Sequence, residues 1–320
     1  MPYSYHSCNT LDDLMRSVIE EIIAQGEEIR PSRGKAKELR SVLLELKNPR
    51  ARLSRTETRG KALSCLGELC WYLAKSNDLD FISYYLPKYR ESADGDMING
   101  AYGPRLFDWK NINQIETTVE RLRTRPDTRR AVIQLFEFSD LLATTKNVPC
   151  TCTLQFMLRN GSLHMLTNMR SNDAFLGLPH DIFCFTMLQE ILARTLSARI
   201  GDYSHAVGSL HLYDQNIKSA REFLEEGWQS TTMTMPVMPK GDPWPGIDSL
   251  LDAESALRSG NYLDEAIMSD LDPYWADLIR LLQLLRYRKD KNVELIASLR
   301  SRMAFDVYRV FIETKLRQLQ

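Results

Sequence analysis

At 320 residues and 43% apolar content, the chain is long enough for one large domain or two smaller ones with a real core. Its 41 Lys and Arg against 42 Asp and Glu argue against a general polyanion-binding surface, so any anion site must be local. No apolar run approaches the length of a bilayer span, and the opening residues, with Asp12 and Asp13, lack a secretion-signal core, so a cytoplasmic protein is expected.

Leu11, Leu14, Val18 and Ile22 recur at helical spacing behind Asp12 and Asp13. This predicts an amphipathic helix over residues 11–25 with acids at its positive end. The turn at 29–34 carries Arg30 and Arg33, read either as solvated or as an anion-binding loop, because arginine matches phosphate oxygens bidentately. Residues 41–47 alternate as a strand, and Asn48-Pro49-Arg50 ends it. Residues 56–76 form a strong helical pattern in which Leu63, Leu66, Leu69 and Trp71 surround Glu68. That carboxylate either turns sideways to solvent or is held at a site, because burying it unpaired is costly. The turn-rich stretch 94–103 reads as a loop that places Tyr102, and 112–123 as a helix. Arg129 and Arg130 precede a strand over 131–138, where they are either solvated or an anion clamp that another subunit could share.

The densest chemistry lies between Val148 and Asp181: a thiol after a proline, an arginine and serine at a strand end, and a Gly-Leu-Pro turn before an apolar run. Residues 152–158 and 162–169 read as a hairpin closed by Asn160-Gly161. Residues 182–196 predict a largely buried helix. A strand over 202–213 would put His205, His211 and Tyr213 on one face, the last two suggesting a ligand-facing surface. The six cysteines show no zinc spacing; Cys150 and Cys152 would share a strand face, and free thiols with no metal are expected. After an irregular 236–246, helices are expected over 274–287, 293–300 and 303–319, serving packing or subunit contact.

Taken in order, several pieces resemble the thymidylate synthase superfamily. They are Gly67-Glu68-Leu69-Cys70-Trp71-Tyr72-Leu73, Gly100-Ala101-Tyr102-Gly103, Pro126-Asp127-Thr128-Arg129-Arg130, Pro149-Cys150, Arg170-Ser171-Asn172-Asp173, Leu176-Gly177-Leu178-Pro179, Gly201-Asp202 and His211-Leu212-Tyr213. The resemblance implies an α/β (α+β) fold, a large mixed sheet flanked by helices over residues 1–235. Residues 236–320 would be a helical extension packed on the same domain. It also implies roles. Cys150 would add to C6 of a pyrimidine nucleotide, so that C5 can attack the one-carbon unit of 5,10-methylenetetrahydrofolate. Glu68 and Tyr102 would organise proton transfer. Arg170, Arg129, Arg130 and Arg33 (or Arg30) would bind phosphate with Ser171, and Arg129 and Arg130 would reach in from the partner of a homodimer. His211 and Tyr213 would contact the ribose, Gln155 would lie near the nucleotide, Asp173 would meet the folate, and Gly177 would keep that pocket's wall open.

The departures from the pattern bear on the reaction. Asp181 stands where synthases have asparagine, at the residue that reads the base's 4-position. A carboxylate accepts from the amino group of cytosine but opposes the O4 of uracil, so the chain resembles the cytidylate hydroxymethylase branch. The tryptophan-rich segment before Tyr102 is replaced by residues 85–91, and the closing synthase tail is not seen in the terminal residues 316–320. With water admitted to the one-carbon unit, the expected product is 5-hydroxymethyl-CMP or 5-hydroxymethyl-dCMP with tetrahydrofolate. Ser171 with His211 and Tyr213 leans toward dCMP. Thr151 replaces a common histidine beside the cysteine, with no physical account at this level.

Overall fold

The computed structural model describes residues 4–57, 60–142, 144–227, 230 and 232–319. The first strand, β1 (Ser4–Cys8), leads into helix α1 (Leu11–Gln25), whose amide of Asp13 is capped by the Thr10 hydroxyl. Its buried Leu11, Leu14, Val18 and Ile22 form the apolar stripe that the spacing predicts. A short β2 (Glu27–Ile29) turns back into β3 (Ala36–Leu46). Three helices follow: α2 (Ala62–Leu73), α3 (Leu79–Tyr85) and α4 (Tyr102–Phe107), and then α5 (Gln114–Thr124). Next come β4 (Val132–Gln134), β5 (Thr151–Arg159), β6 (Ser162–Asp173), α6 (Leu178–Thr195) and β7 (Arg199–Tyr213). Helices α7 (Ile217–Glu225), α8 (Trp244–Arg258), α9 (Pro273–Lys289), α10 (Val293–Arg302) and α11 (Arg309–Arg317) complete the chain.

The strands form one mixed sheet ordered β1-β3-β7-β6-β5-β4, with β2 on β3. The pairs β1–β3 and β6–β7 are parallel; the others are antiparallel. Asn160 and Gly161 both take positive φ, 49° and 72°, the backbone that a two-residue turn between right-twisted strands requires. The sheet is irregular twice near the chemistry. Ser41 has φ 57° where β3 passes Gly208, and β5 shifts register between Thr151 and Thr153. Bulges bend a strand and re-aim its side chains.

Helices α1 and α6 pack on one face of the sheet, and α2 packs on α6. Helices α8 and α9 pack on α2 and on each other. Beneath them Arg52 and Glu190 form a fully buried ion pair, and Glu190 also accepts from the Met238 amide at 3.1 Å. On the sheet's other face Leu43 and Val132 are 40% and 43% exposed.

Several expected boundaries move. The helix expected over 56–76 begins only at Ala62, and the strand expected over 131–138 holds only Val132–Gln134 before a 3-10 turn at Phe138–Leu141. The last helix starts at Arg309, after a 3-10 turn at Asp306–Tyr308. Tyr102 opens helix α4 rather than sitting in a loop.

Candidate active site

Cys150 stands just before β5, partly open, at the point where the Arg170 amide donates to its carbonyl at 2.9 Å. The Arg170 side chain folds back over the same loop. Its Nε donates to the Pro149 carbonyl at 2.9 Å and Nη2 to the Val148 carbonyl at 3.1 Å, with Nη2 3.7 Å from the Cys150 sulfur. Burial pushes the Cys150 thiol up, Arg170 and Arg33 pull it down, and Asp181 opposes them. Arg33, exposed between β2 and β3, also acts on Tyr213, as do Asp173 and Cys150. The loop arginine that this fold brings to the thiol is therefore Arg33. His211 packs its ring edge-on to Tyr213, centroids 4.9 Å apart.

Two titratable groups from the helical layer face the same place. Glu68, on α2, is 5% exposed and accepts from the hydroxyls of Tyr89 at 2.7 Å and Tyr72 at 3.2 Å. Burial outweighs these donors and raises its pKa to about 7. Asp181 lies in the first turn of α6. Burial drives its pKa well above its ordinary value, the Glu68 charge adds to this, and the nearby Asn172 side chain opposes it. The Tyr102 hydroxyl accepts from both the amide and the hydroxyl of Thr151, at 3.0 and 2.9 Å, and feels both Cys150 and Asp181. With two donors on its oxygen, its own proton is left to point elsewhere. This supplies the missing account of Thr151: it orients Tyr102 beside the thiol.

Asp173 ends β6, and its Oδ1 accepts from the amides of Phe175 and Leu176, both at 2.8 Å, so the second oxygen takes no part in the turn. Gly177 follows, and a Cβ there would lie 2.8 Å from Asn172 Oδ1 and 3.5 Å from Asp181 Oδ2. Ser171 sits between Arg170 and Asn172, in register with Ser209.

Three expected residues, Gln155, Arg129 and Arg130, lie apart from Cys150 within one protomer. The Gln155 amide donates to the Arg129 carbonyl at 3.2 Å, while its neighbours Leu154 and Phe156 point into the core. The side chain is thus on the sheet's outer face, away from Cys150. Arg129 and Arg130 are exposed just before β4, on an open cleft with Arg121, Arg123 and Arg125 in whose wall Cys150 has no place. His205 separates from His211 and Tyr213. It is fully buried and bound to Asn172 and Tyr203, because the alternation along β7 breaks at Gly208.

Sequence reasoning missed Asn172, His205, Tyr72 and Tyr89 as members of the cluster. Asn172 and Tyr72 lay inside quoted motifs without a role. Tyr89 lay in the segment noted only as a replacement, and it now binds Glu68.

The cluster joins a thiol, arginines, two enclosed carboxyls and a held tyrosine at the end of a mixed sheet, the equipment of an enzyme that adds a nucleophile to an anionic substrate. The thymidylate synthase family model matches residues 14–241, and the chain belongs to that family. A deoxyuridylate hydroxymethyltransferase of Bacillus phage SP01 is 31% identical over 217 residues, covering 62% of this chain. The match spans 56% of that relative's length.

Proposed function

We propose that the protein is a cytoplasmic, folate-dependent 5-hydroxymethylase of cytidine or deoxycytidine monophosphate. Cys150 adds through sulfur to C6 of the base, which makes C5 nucleophilic. Methylenetetrahydrofolate, when bound, supplies a one-carbon unit at the level of formaldehyde. C5 bonds to this unit and gives up its proton, tetrahydrofolate departs, water adds to the one-carbon carbon, and Cys150 leaves C6, yielding the 5-hydroxymethyl nucleotide. The residues at the start of α6 suit such a donor: Asp173 has a carboxylate oxygen outside its turn, and Gly177 presents no side chain.

The observation that carries the base assignment is Asp181, buried in the first turn of α6 and acting on Cys150 and Tyr102, where burial favours its protonated form. A neutral acid donates to N3 of cytosine while its other oxygen accepts from the 4-amino group. Transfer of that proton to N3 as the thiolate adds offsets the negative charge that develops in the ring. Uracil can be met by the same acid only with donor and acceptor exchanged, and its N3 already carries a proton. Glu68, with a pKa near 7, is poised to exchange a proton with bound water. Arg170 and Arg33 take the phosphate, and His211 and Tyr213 take the ribose. Arg129 and Arg130, exposed on their own protomer, would complete the phosphate site of a second copy docked on the open sheet face bearing Leu43 and Val132.

A second reading rests on the phage relative, whose name gives it deoxyuridylate as substrate: hydroxymethylation of dUMP by the same steps. Asp181→Asn separates the two. An amide can hold either base but cannot protonate N3, so kcat/KM for the cytidylate should fall roughly 100-fold or more while that for dUMP holds or rises. An unchanged ratio removes Asp181 from base selection.

A further inference from the structure

Helix α3 and the 3-10 turn at Pro87–Ser92 run beside Glu68, and the C-terminal helices hold them by polar contacts that the reaction as described does not use. Glu254, on α8, is 1% exposed. Its carboxylate accepts from the Tyr85 hydroxyl at 2.7 Å and from Arg258 Nε and Nη2 at 2.9 and 3.4 Å. The Arg258 guanidinium lies 4.0 Å over the Phe81 ring. Lys289, on α9, donates to the Tyr84 carbonyl at 2.8 Å. Phe81, Tyr84 and Tyr85 thus tie one short helix to α8 and α9.

A buried ion pair is weak evidence for stability, because apolar side chains of similar volume commonly serve as well. What the Glu254 carboxylate adds is direction, since the Tyr85 hydroxyl meets it at one place. The ring seated by this bond lies on the backbone of Gly67, where a Cβ would come within 2.1 Å of it. The next residue along α2 is Glu68. In the other direction the chain runs from Tyr85 into the 3-10 turn and reaches Tyr89. The Tyr89 hydroxyl donates to Glu68 at 2.7 Å, and its ring packs edge-on to Trp71, centroids 5.6 Å apart. One side chain therefore touches the helix that carries Glu68 and leads into the turn that carries its donor. A displacement of about 1 Å at such a contact can cost about 100-fold in rate.

We propose that Glu254 is a positioning residue of the active site: by holding the Tyr85 hydroxyl it seats the Tyr85 ring on Gly67 and fixes Glu68 and Tyr89 relative to each other. The proposal rests on Glu68 working in turnover, as read above, and it holds whichever base is preferred.

The test is release of the C5 hydrogen from CMP, dCMP and dUMP with methylenetetrahydrofolate, by the full chain and by Glu254→Leu, Glu254→Gln, Tyr89→Phe and the double variant Glu254→Leu/Tyr89→Phe. Thermal midpoints confirm folding. Glu254→Leu should lower kcat roughly 10-fold or more with KM for the nucleotide within about threefold of the parent. Glu254→Gln, whose amide oxygen can still accept from Tyr85, should stay within about threefold in both. In the Tyr89→Phe background, where the donor to Glu68 is already gone, adding Glu254→Leu should cost less than about threefold more. A merely structural role would cost the same factor in both backgrounds, and that result overturns the proposal, as does an equal loss in Glu254→Gln and Glu254→Leu. Should Glu254→Leu not fold, Tyr85→Phe takes its place in the same cycle, since it keeps the ring and leaves Glu254 its Arg258 partner. Turnover of dUMP alone, with the predicted non-additivity, overturns the cytidylate reading and keeps this one. Cytidylate turnover with additive losses does the reverse. A parent that releases hydrogen from none of the three overturns both.

Discussion

Replacing Glu68 with glutamine should make the protein more stable, by an amount that grows with pH. The carboxyl group ordinarily titrates at 4.5 and is raised to about 7 in the fold, chiefly by burial. Between these values the folded state holds a proton that the unfolded chain releases, so stability falls as pH rises through this window. Below about 4.5 the penalty is absent, and above about 7 it is complete, at about 3 kcal/mol. Glutamine keeps an oxygen for the hydroxyls of Tyr72 and Tyr89 but has no ionisation to lose. Urea unfolding of parent and Glu68→Gln at pH 5 and pH 8 should therefore show a stability difference that increases by about 2 to 3 kcal/mol in favour of the variant. Turnover should drop at both pH values, because the proton-exchanging group is gone. A difference that stays flat with pH, or that moves toward the parent, would refute the claim that Glu68 is held above its ordinary value.

Other perturbations separate further parts of the account. Cys150→Ala should abolish exchange of the C5 hydrogen of a bound pyrimidine nucleotide while leaving nucleotide affinity within about tenfold; exchange that persists in a tritium-release assay would rule out covalent addition. Glu190→Gln should lower stability by about 3 to 5 kcal/mol, because it leaves Arg52 charged and fully buried beneath the C-terminal helices; denaturant unfolding with a loss under about 1 kcal/mol would show that the pair is not uncompensated in the variant. Gly177→Ala should lower turnover, because a Cβ there would meet Asn172 Oδ1 at 2.8 Å and lie 3.5 Å from Asp181 Oδ2; steady-state kinetics with unchanged turnover would refute this.

What could be read from the sequence depended on how local its cause was. Helix α1 follows its apolar spacing and its acids to the residue, because both signals lie within the segment. The β5–β6 hairpin was announced by Asn160-Gly161, whose backbone preference sets the turn. The long helical pattern over 56–76 was cut to Ala62–Leu73, and before it the Gly60 amide closes a separate turn on the Thr56 carbonyl at 2.8 Å. His205 shows the limit most clearly. Period-two alternation groups it with His211 and Tyr213, but the break at Gly208 sends it into the core, toward Asn172 on the neighbouring strand. The motif position of Gln155 could not show its local partner; the pairing of β4 with β5 hands its amide to the Arg129 carbonyl. The raised carboxyls were not readable at all from spacing, since they arise from what α2, α6 and the 3-10 turn at Pro87–Ser92 enclose together.

The most direct test of the central claim is a product analysis with the full chain, methylenetetrahydrofolate and CMP, dCMP or dUMP in separate reactions, following C5 hydrogen release, nucleotide mass and the folate formed. The account predicts release from a cytidylate, a nucleotide heavier by one hydroxymethyl group, and tetrahydrofolate. Turnover of dUMP alone, or formation of dihydrofolate with a methylated product, would contradict it.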